Sequence, residues 1–253
     1  MEPGLIELHP PHEWRETAWK GQGREEKRWT LHSEKGEPVR YAADEYPTLF
    51  RRFADLKTDR DSIKAFADRF GNLSGRGLLF PLVGTLDDWG SQIVWMRHTL
   101  ALWEIAQNDN AREARKLFGQ LAKAEKAATS AQLKLVFSVL RSAPRTGARV
   151  SAVQLAWINA TRSVNENLKD VQPRLAFHAS QPGKLTLELQ PRTLHQLLWW
   201  QCARHFTEGT QLRRCAHCGE WFAVLPPVTR TSRIYCSHNC NMAAYRLRKK
   251  EKQ

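Results

Sequence analysis

Four of the chain's five cysteines fall within residues 212–253, as two close pairs, Cys215/Cys218 and Cys236/Cys240, with seventeen residues between the pairs. Two thiolates separated by two or three residues can place both sulfurs on one ion, and two such pairs complete the tetrahedral shell that Zn²⁺ prefers. The spacing predicts a structural zinc site made by Cys215, Cys218, Cys236 and Cys240, in preference to a disulfide pair or reduced bystander thiols. His217 and His238 lie beside the pairs and are weaker candidates to replace a cysteine. Coordination by four sulfurs leaves no position for a catalytic water.

The residues around the pairs specify a local fold. Gly219, directly after the second ligand, suits the tight turn of a metal knuckle. Trp221, Phe222 and Val224 read as a strand that Pro226-Pro227 breaks, and Arg233-Ile234-Tyr235 reads as its return partner. Ser237 is placed to cap a helix beginning near His238, which puts Cys240 in the first turn, where free amides and the helix dipole favour a thiolate. In that helix Cys240, Ala243, Ala244 and Leu247 share an inward stripe. Arg246 and Lys250 form one outward row, and Tyr245, Arg248 and Lys252 form another. The expectation is a treble-clef-like finger ending in a basic helix.

Charge is concentrated in the same segment. The chain carries a formal +13 with a pI near 9.8, and residues 212–253 hold nine Lys/Arg against two Glu. Four thiolates and one Zn²⁺ together leave this segment at about +5. A basic helix held rigidly on a knuckle suits contact with phosphates and insertion into a groove. Arg213, Arg214, Arg230, Arg233, Arg246, Arg248, Lys249 and Lys250 are the candidate nucleic-acid contacts, with Arg246 the candidate base reader. DNA is the expected partner and RNA the alternative; a merely solvated tail is the competing reading.

Upstream, residues 1–45 are polar and weakly patterned and read as an N-terminal arm. Residues 28–32 and 38–42 are candidate strands of a short hairpin around Glu34-Lys35-Gly36-Glu37. Trp14, Trp19 and Trp29 are expected to anchor the arm to the body rather than stack on bases. A mostly helical body then spans 46–210. Leu49, Phe50, Phe53 and Leu56 recur with helical spacing, and Thr58 or Asp59 caps a second helix bearing Ile63, Phe66, Ala67 and Phe70, stopped by Gly71. That helix balances Asp61 and Asp68 against Lys64 and Arg69, which disfavours a helix-turn-helix reader. The Gly-rich run 71–77 lacks the Gly-Lys-Ser/Thr ending of a phosphate loop and reads as a linker.

Trp89, Ile93, Met96, Leu100 and Trp103 mark one face of a helix reaching about Gln107. Trp95, Leu102 and Ile105 add apolar groups on its other faces, which predicts a buried central helix with His98 as a hydrogen-bonded structural histidine. After Asn108-Asp109-Asn110 a long helical region carries Leu117, Leu121, Ala124 and Ala128, and Leu133, Val136, Phe137 and Leu140 continue the stripe. Packing within the chain is the default reading of its alanines; a homodimer surface is the alternative. Pro144 to Gly147 interrupts the region, and Val153, Trp157, Ala160, Val164 and Leu168 define another helix ending before Pro173. Residues 174–178 and 184–189 alternate like a hairpin around Gln181-Pro182-Gly183. Thr193 or Arg192 opens a helix through about Thr207 with Leu194, Leu198, Cys202 and Phe206 on one face, so the fifth cysteine belongs to the core. Gly209 ends it, and the finger of residues 211–253 begins at once, a connection short enough to predict docking on the body. The fold class expected is α+β, a predominantly helical body with a small β-hairpin and a C-terminal treble-clef-like zinc finger.

Cys-x2-Cys followed by aromatics, an Arg-bearing return ending in Ile234-Tyr235-Cys236-Ser237, then Cys240 and a basic helix, resembles the CGNR-type zinc fingers. Those fingers close a group of bacterial putative transcriptional regulators that often carry a mostly helical N-terminal region called ABATE. Phe53-Ala54-Asp55-Leu56 and the run from Ala65 to Leu73 resemble segments near the start of the same proteins. The resemblance implies a DNA-binding C-terminus and a helical sensing or dimerising body, and it carries over only the four zinc ligands. The signature Cys-Gly-Asn-Arg is replaced here by Cys240-Asn241-Met242-Ala243.

Other classes find little support. No apolar run reaches the roughly 18 residues of a membrane span, and the N-terminus lacks the charged-then-apolar order of a signal peptide, so a reducing cytoplasm and no membrane are expected. No His-Glu-x-x-His, Gly-x-Ser-x-Gly or Gly-x-Gly-x-x-Gly context is present, and Asp87-Asp88 suits a helix N-terminus better than acid–base chemistry. His238-Asn239 invites comparison with metal nucleases, yet it lies between two proposed structural ligands without an acidic pair. The expectation is a DNA-binding regulator rather than an enzyme, with a protein-interaction module as the alternative.

Overall fold

The computed structural model describes residues 5–8, 12–21, 24–33, 39–42, 45–76, 81–82, 84–142, 150–177, 185–224 and 232–250. The turns expected at 34–37, 144–147 and 181–183, the Pro226-Pro227 break, Arg230 and Lys252 lie outside these residues.

The N-terminal segment forms four strands, β1 (Leu5–Leu8), β2 (His12–Gly21), β3 (Arg24–Ser33) and β4 (Val39–Ala42). Both expected strand segments exist, but their pairing differs from the local hairpin that the sequence suggested. β3 pairs antiparallel with β2 from His12↔Ser33 to Gly21↔Arg24, and β4 pairs with β1. Two ten-residue strands paired along their whole length form more ladder bonds than the five-residue pairing could, so the longer pairing wins. It sits on the body: Leu31 is buried in the core, the Trp14 indole donates to the Arg60 carbonyl at 2.9 Å, and Arg60 stacks over Trp29.

Helices α1 (Leu49–Asp55) and α2 (Arg60–Phe70) follow, the second capped by the Asp59 side chain on the Ser62 amide and closed by Gly71 at φ 96°. The run read as a linker carries β5 (Gly75–Arg76), paired with β6 (Pro81–Leu82). Helix α3 (Leu86–Gln107) opens on a Thr85/Asp88 capping box. It is apolar on nearly every face, and it packs against α1, α4 (Ala111–Ala127), α5 (Ala131–Arg141) and α6 (Ala152–Leu168) as the central helix. The continuous stripe expected across 111–140 is broken at residues 128–130, where Ser130 becomes the N-cap of α5 and the two helices pack on each other.

Strands β7 (Pro173–Phe177) and β8 (Leu185–Leu189) form the expected antiparallel hairpin. Helix α7 (Leu194–Glu208) runs from its Thr193 cap to Gly209 in the left-handed region, with Cys202 fully buried. The buried face of α6 is more polar than its apolar spacing suggested: Asn159, Ser163 and Asn167 point inward beside Ala156, Ala160 and Val164. They join a buried network in which His195 Nε2 lies 3.1 Å from Asn167 Oδ1 and 3.2 Å from Gln92 Oε1, while Trp199 Nε1 donates to Gln92. His98 departs from expectation, since its Nδ1 has no hydrogen-bond partner among the described residues and its ring stands edge-on to Phe137. No helix among the described residues is long and apolar enough to cross a membrane. The chain ends in β9 (Gln211–Arg214), β10 (Trp221–Val224) and α8 (His238–Lys250), completing an α+β fold with a mostly helical body.

Candidate metal centre

The knuckle is built by a hairpin that closes on itself. β9 pairs with β10 from Arg214↔Trp221 to Gln211↔Val224, so the partner of the Trp221–Val224 strand precedes the cysteines rather than following them. The return segment read at 233–235 contributes no strand. It reaches the knuckle through one backbone bond, Ala216 N–H to the Ile234 carbonyl at 2.9 Å. Between the strands Gly219 takes φ 73°, the Cys215 amide donates to the Glu220 carbonyl at 2.8 Å, and the Gly219 amide donates back to the Cys215 carbonyl at 2.9 Å. Only a residue free of Cβ strain adopts that dihedral easily, which is why glycine follows the second cysteine.

Arg233 ties the second pair to the first. Its guanidinium donates to the carbonyls of Tyr235 and Cys236 and lies over the Phe222 ring. Ser237 Oγ then accepts from the Cys240 amide at 3.2 Å, the expected cap, and Cys240 sits in the first turn of α8. The finger's small core is Cys215, Phe222 and Val224, with Tyr235, Cys236 and Cys240 packed against it.

The result is a cluster of four sulfurs, all within 4.8 Å of one another. Cys218 and Cys236 are 3.6 Å apart and Cys236 and Cys240 are 3.5 Å apart, and all four thiols are free. A tetrahedral ion with metal–sulfur bonds of about 2.3 Å has sulfur–sulfur edges of about 3.8 Å, so the set fits one metal ion. The electrostatics lead to the same fit. Burial raises the Cys215 thiol, but amides of Cys218, Cys236 and His217 directed at its sulfur outweigh that and hold it down at about 6. Burial and the neighbouring sulfurs of Cys240, Cys218 and Cys215 push Cys236 up to about 12. A cation between the sulfurs would let all four ionise together, so the set could hold a metal ion. Among the described residues no histidine or carboxylate joins the cluster.

The finger is fastened to α1. Asp55 Oδ2 accepts from both Arg214 and the Trp221 indole, each at 2.6 Å. Arg52 pairs with Glu220 at 2.9 Å, Thr48 Oγ1 donates to the Trp221 carbonyl, and Arg51 and Arg214 both lie over the Trp221 ring. Trp221 was legible as a strand residue. Asp55, Arg52 and Thr48 carry no local signal, because their partners lie far along the chain.

The cationic candidates separate into two groups. Arg213 reaches the Arg233 carbonyl, Arg214 is held by Asp55, and Arg233 staples the cluster. Arg246, Arg248 and Lys249 are exposed on α8, and no ion pair to a carboxylate occupies them among the described residues; Lys250 closes the helix. Cys240, Ala243 and Ala244 are half-buried as the inward stripe requires, but Leu247 is 54% exposed, because α8 runs on past the finger's core. Compared with family models, curated proteins and solved structures, the chain matches none of them.

Proposed function

We propose that the protein is a zinc-bearing DNA-binding protein, a bacterial transcriptional regulator, in which the cluster fixes α8 and α8 contacts the nucleic acid. One observation carries the reading: α8 is anchored at its first turn by Cys240, contains no acidic residue, and exposes Arg246, Arg248 and Lys249 without carboxylate partners among the described residues. A rigid rod of uncompensated cations matches a row of phosphates, and releasing the counterions on DNA supplies the affinity. Zinc suits the donor set, since four soft thiolates at tetrahedral spacing favour it. The closed sulfur shell supports a structural metal rather than a catalytic one.

The test is fluorescence anisotropy of the metal-loaded protein on random duplex DNA and on single-stranded RNA across a salt series, beside a chain ending at Arg246. Each phosphate contact on duplex contributes a log–log slope of about −0.9. A slope of several such contacts that falls on truncation supports the reading, and no binding at low salt removes it. A second reading, a protein-interaction module, draws on the exposed Met242, Tyr245 and Leu247 of the same helix. It requires a protein partner whose binding survives neutralisation of Arg246, Arg248 and Lys249.

A further inference from the structure

Where the finger meets the body there is a cleft of about 520 Å³, within the range of about 300–1,000 Å³ that small-molecule sites occupy. Leu56, directly after α1, and Phe66 and Phe70 of α2 supply an apolar floor, and the knuckle supplies the facing wall through Gly219 and Trp221. Phe66 and Phe70 are already packed against each other and into the core, so the floor is rigid and preformed.

The charges around the cleft cancel except at one place. Asp55 is held by Arg214, and Glu220 by Arg52. Arg69 remains. Its guanidinium lies 5.1 Å from the Phe70 ring centroid and 5.8 Å from that of Tyr46, and it has no carboxylate partner among the described residues. The exposed Cys218, a ligand of the metal cluster, lines the cleft on its finger side. A tetrathiolate centre is anionic, so that side repels a second anion while Arg69 attracts one.

The geometry points to a binding site for a small amphipathic monoanion, an aromatic or aliphatic carboxylate, with its acid group on Arg69 and its apolar body on Leu56, Phe66 and Trp221. Because Asp55, Arg214 and Trp221 both wall the cleft and fasten the finger, an occupant braces the finger against α1. This site is independent of the nucleic-acid reading and stands or falls on its own measurement.

The test uses the full-length metal-loaded protein and two probes, 2-naphthoate and its neutral isostere 2-naphthamide, in isothermal titration. The expected result is one saturable site for naphthoate, with the amide weaker by about ten-fold or more, the usual worth of a charge-assisted hydrogen bond. Arg69→Gln should bring naphthoate down to the affinity of the amide. Ala65→Trp, at an exposed position of α2 that lines the cleft, should fill the space and abolish binding of both probes. Circular dichroism confirms that each variant folds, and if Arg69→Gln does not, the acid/amide ratio and the Ala65→Trp variant still decide. Equal affinity for acid and amide, undiminished binding in Ala65→Trp, or no binding at millimolar naphthoate would each overturn the assignment.

Discussion

The indole Nε1 of Trp221 donates to the carboxylate of Asp55 across 2.6 Å, joining residues 166 positions apart and fixing the finger on the end of α1. The same oxygen accepts from Arg214. Replacing Asp55 by Ala removes both bonds while leaving the cysteines untouched. Hydrogen bonds to a charged group are worth roughly 1.5–3 kcal/mol when sheltered and less at a half-exposed site, so a loss of about 1–2 kcal/mol in finger docking is expected. Hydrogen exchange should accelerate in β9 and β10 with little change in α3. Unchanged exchange in those strands would show that the finger is held by other contacts.

Metal removal should separate the two parts of the molecule. Among the described residues the finger's own core holds only Cys215, Phe222 and Val224 buried, too little to keep it folded once an ion held by the four cysteines is removed. Cys236→Ser should abolish bound metal, measured by elemental analysis, and lose nucleic-acid binding with it. The helical body, centred on Trp89, Ile93 and Met96, should keep its cooperative melt. A Ser variant that binds DNA with unaltered affinity and salt slope would remove the finger from recognition.

Acid should destabilise the body through its buried histidines. Burial drives His195 from 6.5 to about 4, against a small opposing pull from Asp170, and burial chiefly, aided by Arg97, does the same to His98. Each folded-state value lies below the unfolded one, so between about pH 6.5 and 4 the unfolded chain binds more protons and stability falls as pH falls. A depression of that size corresponds to about 3 kcal/mol for each group when the pH reaches the folded value. Urea unfolding at pH 7 and at pH 4.5 should show the loss. His195→Gln should lower stability at pH 7 and flatten the pH slope; an unaltered slope would mean that His195 is not the buried titrating group.

Gly84 is a stability hinge between the N-terminal hairpin and α3. It takes φ 80°, and a Cβ there would lie 2.6 Å from the amide of Asn72. Asn72 donates to the Leu31 carbonyl and accepts from the Trp89 indole, so displacing it breaks both. Backbone strain and two lost hydrogen bonds together predict about 2–4 kcal/mol of destabilisation in Gly84→Ala. Chemical denaturation measures it. Asn72→Ala lacks the strain and should lose less; the opposite order would place the effect elsewhere.

Signals carried by neighbouring residues are legible in the sequence, and signals carried between distant ones are not. Asp59, Thr193 and Gly209 mark helix ends through chemistry within a turn, and the two cysteine spacings need only the geometry of one ion. The all-round apolar character of residues 86–107 likewise identified the central helix. Alternation shows that residues 24–33 form a strand but not which strand it joins, and so β3 went to β2 instead of β4. The inward Asn159, Ser163 and Asn167 read as a polar face until His195 and Gln92 supply their company. Nothing near Asp55 announces Trp221.

Arg214 and Arg246 are both candidate nucleic-acid contacts in the sequence, and the fold gives them different work. Arg214 is committed to Asp55 and to the face of Trp221, whereas Arg246 stands exposed on an acid-free helix. If α8 is the surface that meets DNA, Arg246→Gln should reduce the magnitude of the log–log salt slope by about 0.9, the contribution of one phosphate. Its melting temperature should stay near that of the parent, since Arg246 has no ion pair or side-chain hydrogen bond to lose among the described residues. Arg214→Gln should behave in the opposite way, loosening the finger as Asp55→Ala does while changing the slope far less. Anisotropy titrations at four or so salt concentrations, paired with thermal melts of the same samples, read both quantities. Equal slope changes in the two variants, or a larger one in Arg214→Gln, would move the contact surface from α8 to the knuckle.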